Sequence, residues 1–133
     1  MYQQKYPDDI IGFYLGAISL AYIDSTGALG LAKPDYEKVI LLAQASADTV
    51  KSKPQLITAY NYMIAYYYKK NDYATALSYN EKILALDPTN AQAIENQKAL
   101  IPNKMKVKDN KQKIKTDTTK EKLTPAKTKV KGK

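Results

Sequence analysis

The sequence predicts an all-α protein: an α-solenoid of antiparallel helix pairs, followed by a capping helix and a disordered C-terminal tail. Two amphipathic segments with a polar turn between them separate Pro54 from Pro88, which lie 34 residues apart. A helix-turn-helix unit of that period is typical of solenoids. An uncharged apolar run at 10–23 is long enough for a buried helix but short of the roughly 20 residues that span a bilayer. From residue 104 onward lysine and threonine dominate, which predicts disorder.

We therefore divide the chain near residue 102. Residues 1–102 form the predicted repeat domain, with repeats at about 8–53 and 55–88 and a capping helix at about 90–101. Residues 103–133 form the predicted disordered, lysine-rich tail. The charge divides at the same place, because residues 1–103 hold nine lysines and ten acids whereas residues 104–133 hold twelve lysines and three acids. The basicity therefore belongs to the tail, and the predicted domain is nearly neutral.

The residue types that enzymes use most are missing. The chain has no cysteine and no histidine, which excludes disulfides and thiolate metal sites and removes the commonest general base. Its acids are scattered, and the glycines near 27–30 do not form a phosphate loop. We predict no catalytic residue, no metal, no cofactor and no enzymatic activity. Every cation is a lysine, so the bidentate recognition of phosphate or guanine that arginine provides is excluded as well.

The segment between the two prolines predicts one helix pair in detail. Its first helix carries a buried stripe with the spacing i, i+3, i+4 and i+7, formed by Tyr60, Met63, Ile64 and Tyr67. Asp72 follows the polar turn and can cap the second helix. Ala76 is small at the point where the two helices would cross, and a larger side chain there would push them apart.

These residues stand at the spacings of a tetratricopeptide repeat, and the segment resembles one complete repeat of that family. The matching positions are Tyr60, Met63, Ile64, Tyr67, Asn71, Asp72, Tyr73, Ala76 and the run 83–88 that ends in Pro88. The segment departs from the pattern at Ile64, where a small residue is usual, and at Asn80, where an aromatic residue is usual. The resemblance implies a right-handed superhelix of helix pairs and a non-enzymatic role in protein–protein interaction.

A longer copy of the repeat precedes Pro54. When the two copies are aligned on their prolines, Phe13 falls over Tyr60. With three extra residues allowed in the turn, Ala32 falls over Ala76. The other extra residues lengthen the predicted second helix through 43–48. Pro34 near the start of that helix is tolerable only in its first turn.

The N-terminal edge of the repeat domain has its own prediction. Residues 1–7 look like the last turn of a helix from a preceding repeat, so the helix at 10–23 would keep apolar surface uncovered. We predict either that the chain is a fragment of a longer array or that this edge self-associates. The helices after residue 30 also resemble the C-terminal repeats of longer bacterial members of the family. A cytoplasmic location is the default because no signal peptide is recognised, and an envelope or periplasmic location would follow for a fragment of an exported protein.

One face of the first helix in each repeat corresponds to the concave ligand groove of the family. The resemblance implies a protein or peptide partner, bound there by Tyr14, Ile18, Tyr22, Asn61, Ala65, Tyr68, Lys69, Gln92 and Glu95. Tyrosines suit such a ligand because they give contact area at low entropy cost. The alternative is that they pack against a neighbouring repeat or the tail. Ala65 stands where chaperone-binding members complete a carboxylate clamp, so that type of recognition is not expected. We assign Phe13, Ala32, Tyr60, Tyr67, Tyr73, Ala76 and Pro88 to packing.

The tail supports a function of a different class. Its lysines could contact a nucleic acid or another polyanion, and the candidates are Lys104, Lys106, Lys108, Lys111, Lys113 and Lys115. Such binding would be confined to the phosphate backbone and weakened steeply by salt. The tail has no aromatic residue for stacking on bases. The alternative is that the tail only keeps the protein in solution.

Overall fold

The computed structural model describes residues 2–121, with side chains described as far as Lys108 except that of Val107. Over these residues it consists of six helices and no strand: α1 (Tyr2–Lys5), α2 (Ile10–Ile23), α3 (Lys33–Ala45), α4 (Lys53–Lys69), α5 (Tyr73–Leu86) and α6 (Ala91–Glu121). Each helix packs mainly against the next along the chain. Because the connections from α2 onward are short, neighbouring helices run antiparallel. The predicted all-α solenoid of helix pairs is confirmed.

The pair α4–α5 is held together by tyrosine rings. The ring centroids of Tyr60 and Tyr67 lie 5.8 Å and 5.9 Å from that of Tyr79 on α5. Ala76 is completely buried within the same core, together with Met63 and other apolar residues. A small residue at the predicted crossing point therefore lets the two helices approach closely enough for the rings to meet.

The turn between α4 and α5 is formed by two adjacent residues with different tasks. Asn71 adopts a left-handed conformation with φ 59°, which asparagine tolerates better than most residues. Asp72 then caps α5, since its carboxylate accepts a hydrogen bond from the backbone N–H of Thr75 at 3.1 Å. Tyr73 donates its hydroxyl to the side-chain oxygen of Asn71 and is partly buried. The predicted cap is therefore present.

The first helix pair departs from the predicted alignment in two places. Ala32 is buried at the N-cap of α3 rather than inside the helix as Ala76 is, while Phe13 packs against the core as expected. Helix α3 ends at Ala45 and does not continue through 43–48. Beyond it, Asp48 accepts a hydrogen bond from the N–H of Lys51 and forms a local turn that competes with the helix.

Asp24 organises the connection between α2 and α3. Its carboxylate accepts hydrogen bonds from the backbone N–H groups of Gly30 at 2.8 Å and Leu31 at 3.4 Å. Burial opposes ionisation of this carboxyl, but the hydrogen bonds from residues 29–31 and from Thr26 together outweigh it and hold the pKa of Asp24 below its usual value. The stability that Asp24 contributes is therefore present above its unfolded-state pKa and is lost as the pH falls through the lower folded-state pKa.

Two glycines in the same connection have positive φ, at 65° for Gly27 and 69° for Gly30. Their surroundings differ. A Cβ added at Gly30 would lie 2.6 Å from a ring carbon of Tyr66 on α4, whereas one added at Gly27 would meet only the lysine amine of Lys69, at 3.6 Å. Gly30 thus serves both the backbone conformation and the close approach of α4.

Helix α6 extends well beyond the predicted capping helix. The sequence prediction ended it near residue 101, but it continues through Pro102 to Glu121. Pro102 cannot donate to the carbonyl of Lys98, and the side-chain amide of the next residue, Asn103, donates to the carbonyl of Ala99 at 3.0 Å. Residues 103–121, assigned above to a disordered tail, are therefore helical. The rest of that predicted tail, 122–133, lies outside the described residues.

A buried polar contact joins α5 to α6. Asn80 has no exposed surface, and its side-chain amide donates to the carbonyl of Ala93 at 2.8 Å and weakly to the Gln97 side chain at 3.4 Å. Its side-chain oxygen has no hydrogen-bond partner within the described part of the chain. Asn80, where the sequence departs from the repeat pattern, therefore helps to fix the position of α6 against α5.

No helix in the described range 2–121 is both long and apolar enough to cross a membrane.

Substitution of Gly30 tests the close approach of α4. We expect Gly30→Ala to lower the free energy of unfolding by about 2–4 kcal/mol, because it adds a clash with Tyr66 to the cost of a positive φ. Gly27→Ala is the matched control and should cost only about 1 kcal/mol, from φ alone. Urea unfolding followed by circular dichroism measures both, and equal losses would contradict the proposed role of Tyr66.

Substitution of Asn80 by aspartate tests the α5–α6 contact. An ionised carboxylate cannot donate to the Ala93 carbonyl, so we expect Asn80→Asp to cost about 2–4 kcal/mol at pH 7.5. Burial will raise the folded-state pKa of the new carboxyl. The stability of the variant should therefore be highest below its unfolded-state pKa near 4 and should fall as the pH rises towards the folded value. Urea midpoints at about pH 4.5 and pH 7.5 measure this, relative to Asn80→Ala. A pH-independent difference between the two variants would contradict it.

Candidate functional site

A cavity of about 460 Å³ lies between α4 and α6 on one side of the helix stack. Its lining combines a buried apolar floor with polar and aromatic side chains at the rim, and consists of Asn61, Ile64, Ala65, Tyr68, Lys69, Gln92, Asn96, Ala99 and Leu100. The floor residues Ile64 and Leu100 are buried, whereas Tyr68 and Lys69 are exposed. We call this the α4–α6 groove.

Five residues predicted for the groove line this cavity. Asn61, Ala65, Tyr68 and Lys69 follow one another at helical spacing on α4 and share one face, and Gln92 comes from the facing side of α6. They meet because α4 and α6 are the first helices of successive repeats, so that their equivalent faces lie on the same side of the stack.

Tyr68 stands at one end of the groove. Its ring lies edge-on against that of Tyr73, with 5.3 Å between the centroids. Edge-to-face contact is a favourable arrangement for two aromatic rings. Tyr68 therefore has a preferred position while its other surface remains exposed, as a rigid contact residue for a ligand requires.

Asn96 is a groove residue that the sequence analysis missed. Its side-chain oxygen accepts a hydrogen bond from the side-chain amide of Gln92 at 2.9 Å. It follows Gln92 by four residues and so lies one turn further along the same face, a spacing that could have revealed it. With Asn61 across the cavity, these amides can both donate to and accept from a peptide backbone.

Four of the predicted groove residues do not line this cavity. Tyr14 is partly buried against the core, and Ile18 and Tyr22 are exposed on α2, one repeat away from α6. Glu95 lies on α6 but pairs with Lys98 at 2.7 Å. For these residues a role in the groove stays a prediction.

A second cavity of about 320 Å³ lies beside the α4–α5 turn. It is lined by residues 70–74, Lys104 and Lys108. The part of α6 beyond Pro102 therefore still lies against the start of α5. Lys106 is exposed on the same segment, and the side chains of Lys111, Lys113 and Lys115 lie outside the described part.

The described residues offer little chemistry of other kinds. Among them no group of three or more carboxylates could hold a metal ion. Burial raises the pKa of Tyr36, Tyr62 and Tyr79, so these hydroxyls stay protonated at neutral pH. The arrangement is suited to noncovalent binding.

The stacked helix pairs, the repeat spacing and the groove between first helices define a protein of the tetratricopeptide-repeat type. A crystal structure agrees: the chain is similar to the C-terminal part of a TPR repeat-containing protein from Cytophaga hutchinsonii, with 37% sequence identity and a TM-score of 0.66. The match covers 71% of this chain and 36% of that one, so the chain spans about a third of the solved protein's length. No protein-family model matches the chain, and no curated protein does. The resemblance drawn from the sequence is confirmed. This fold generally serves as a non-enzymatic interaction scaffold.

Proposed function

We propose that the chain is a protein–protein interaction module that binds a peptide or a helix in the α4–α6 groove. The observation that carries the proposal is the cavity itself, since it joins five residues chosen from the sequence with an apolar floor in one concave site. Ligand sites typically combine a mainly apolar lining with a few placed polar groups, as this cavity does.

The lining also favours a particular kind of peptide. Ile64 and Leu100 at the floor suit one apolar side chain, and Ala65 and Ala99 leave room for it to enter. The amides of Asn61, Gln92 and Asn96 suit a peptide backbone. Lys69 gives the groove a positive charge, which favours a carboxylate on the ligand near that end. The proposed ligand is therefore a segment with an apolar anchor next to an acidic residue.

A second function rests on the lysines of α6. Lys104, Lys106 and Lys108 lie on a helix that continues to Glu121, and Lys70 lies beside the same cavity as Lys104 and Lys108. Lys104 and Lys108 lie one turn apart on the same side of α6, and Lys106 lies on roughly the opposite side. Cations spread around a helix in this way suit only non-specific contact with a polyanion. This is the alternative to a groove-centred function.

Filling the groove tests the first function. Peptides are selected from a displayed random library on the 133-residue chain, and their affinities are measured by fluorescence anisotropy. We expect Ala65→Trp to weaken the selected peptides at least about tenfold, because the indole occupies the space of the apolar anchor. Ala85→Trp adds the same bulk at an exposed position on α5 and should change nothing. Unchanged peptide affinity in Ala65→Trp would refute the groove as the binding site. A loss of peptide affinity in Tyr22→Ala would show that the binding site extends to α2, as the sequence predicted.

Neutralising the α6 lysines tests the alternative. If they bind phosphates, replacing Lys104, Lys106 and Lys108 by glutamine should reduce the slope of log affinity against log salt by about 3 on duplex DNA. The control replaces Lys5, Lys51 and Lys82 by glutamine, which removes the same charge elsewhere. Equal reductions in both triple variants would show that only net charge matters and would count against a site on α6.

A further inference from the structure

Helix α2 exposes an apolar stripe that no charge interrupts. Of the six helices in the described range it alone has no charged residue. Ile11, Leu15, Ile18 and Tyr22 follow one another at intervals of four, three and four residues and are between 40% and 88% exposed. The Ser19 hydroxyl beside them donates to the carbonyl of Leu15 at 2.9 Å. This face can therefore be covered without leaving that polar group unpaired.

The second repeat shows what covers one position of this face. Leu15 corresponds to Tyr62, and the Tyr62 ring packs against Tyr36 of the preceding α3 with 4.7 Å between centroids. On α2 the short α1 lies beside the stripe and not on it, because the ring of Tyr2 lies 2.7 Å from the position of a Cβ at Gly12, about 100° around the helix from Ile11. The stripe itself is therefore exposed, as are Ala65 and Lys69, which correspond to Ile18 and Tyr22 in the second repeat.

Helix α6 has a stripe with the same spacing at the opposite end of the stack. It consists of Ile94, Lys98, Ile101 and Met105, of which the three apolar residues are between 37% and 61% exposed. Ile94 and Ile101 correspond to Tyr60 and Tyr67, which in the second repeat pack on α5. This face too is one that a helix covers elsewhere in the same molecule.

The two stripes are complementary when the helices run antiparallel. The shared four-three-four spacing then places four pairs at the same levels: Ile11 with Met105, Leu15 with Ile101, Ile18 with Lys98, and Tyr22 with Ile94. The methylene stem of Lys98 can lie along apolar surface while its amine reaches water. The antiparallel arrangement also brings Asp8 and Asp9, which directly precede α2, towards the part of α6 that carries Lys104 and Lys108, so the charges at this end are complementary. Because the two helices run antiparallel, the positive end of each helix dipole also lies beside the negative end of the other, which is favourable.

We propose that a second copy of this chain occupies each stripe, with α2 of one molecule packed antiparallel on α6 of the next. The contact joins different surfaces of the two partners, so it leaves a free stripe at each end and allows longer assemblies. A single pair of four-turn helices buries less than a stable interface does, so the association is weak and depends on concentration. It uses none of the residues that line the α4–α6 groove, so it does not rest on the proposed function, although it would cover Ile18 and Tyr22, which the sequence assigned to a groove.

Sedimentation velocity on the 133-residue chain tests this from about 10 µM to about 1 mM. The average sedimentation coefficient should rise with concentration beyond the value of a dimer, and less so in high salt, which screens Asp8 and Lys108. Leu15→Lys and Ile101→Lys, each at an exposed position, should each be monomeric. Ser78→Lys adds the same charge on the exposed surface of α5 and should associate like the wild type.

Mixing the two monomeric variants decides the arrangement. Leu15→Lys keeps an intact α6 stripe and Ile101→Lys an intact α2 stripe, so an equimolar mixture should form a one-to-one dimer and stop there. Circular dichroism confirms folding, and Met105→Lys replaces Ile101→Lys if that variant unfolds. A wild type that stays monomeric at the highest concentration overturns the proposal. If Ile101→Lys forms a homodimer by itself, the contact is between two α2 helices and the proposal is overturned. If Leu15→Lys forms a homodimer by itself, the contact is between two α6 helices and the proposal is likewise overturned.

Discussion

The packing of α4 between α3 and α5 is the interaction on which the rest of the structure depends. On one side Tyr62 meets Tyr36 of α3, and on the other Tyr60 and Tyr67 meet Tyr79 of α5. Two sides of α4 are thereby fixed by aromatic contacts, and both repeats are held in position relative to one helix. Another side of α4 faces the groove. The α4 part of the groove lining is therefore determined largely by residues that do not take part in the aromatic packing.

The tyrosines show how one residue type serves two purposes on one helix. At buried positions their rings fill the space between helices, and burial raises the pKa of Tyr36, Tyr62 and Tyr79 so that they remain neutral. Tyr68, one residue after the packed Tyr67, is turned by about 100° and is exposed. The density of tyrosine along α4 is thus a packing feature for most of the residues and a candidate binding feature for one.

The sequence predicted the parts of the structure that local spacing determines. The stripe of α4, the cap at Asp72 and the α4 side of the groove all follow from helical period and side-chain chemistry. The end of α3 was missed because it depends on a hydrogen-bonded turn at Asp48, and the length of α6 because its continuation through Pro102 has no clear local signal. Tyr14, Ile18 and Tyr22 of α2 were predicted for the groove but do not line the cavity. Whether α2 contributes depends on how far one repeat is rotated from the next, which local spacing does not determine.

The faces of α6 explain why groove binding and end-to-end assembly do not compete. Asn96 and Leu100 line the groove, the Ala93 carbonyl accepts a hydrogen bond from Asn80 of α5, and Ile94 with Ile101 are exposed. Ile94 and Ile101 lie about 140–160° around the helix from Asn96, since successive residues rotate by about 100°. A ligand in the groove therefore leaves the outward stripe free. Copies joined through α2 and α6 would carry one groove each, so a partner with several binding segments would gain affinity from multivalency without any change in the groove itself.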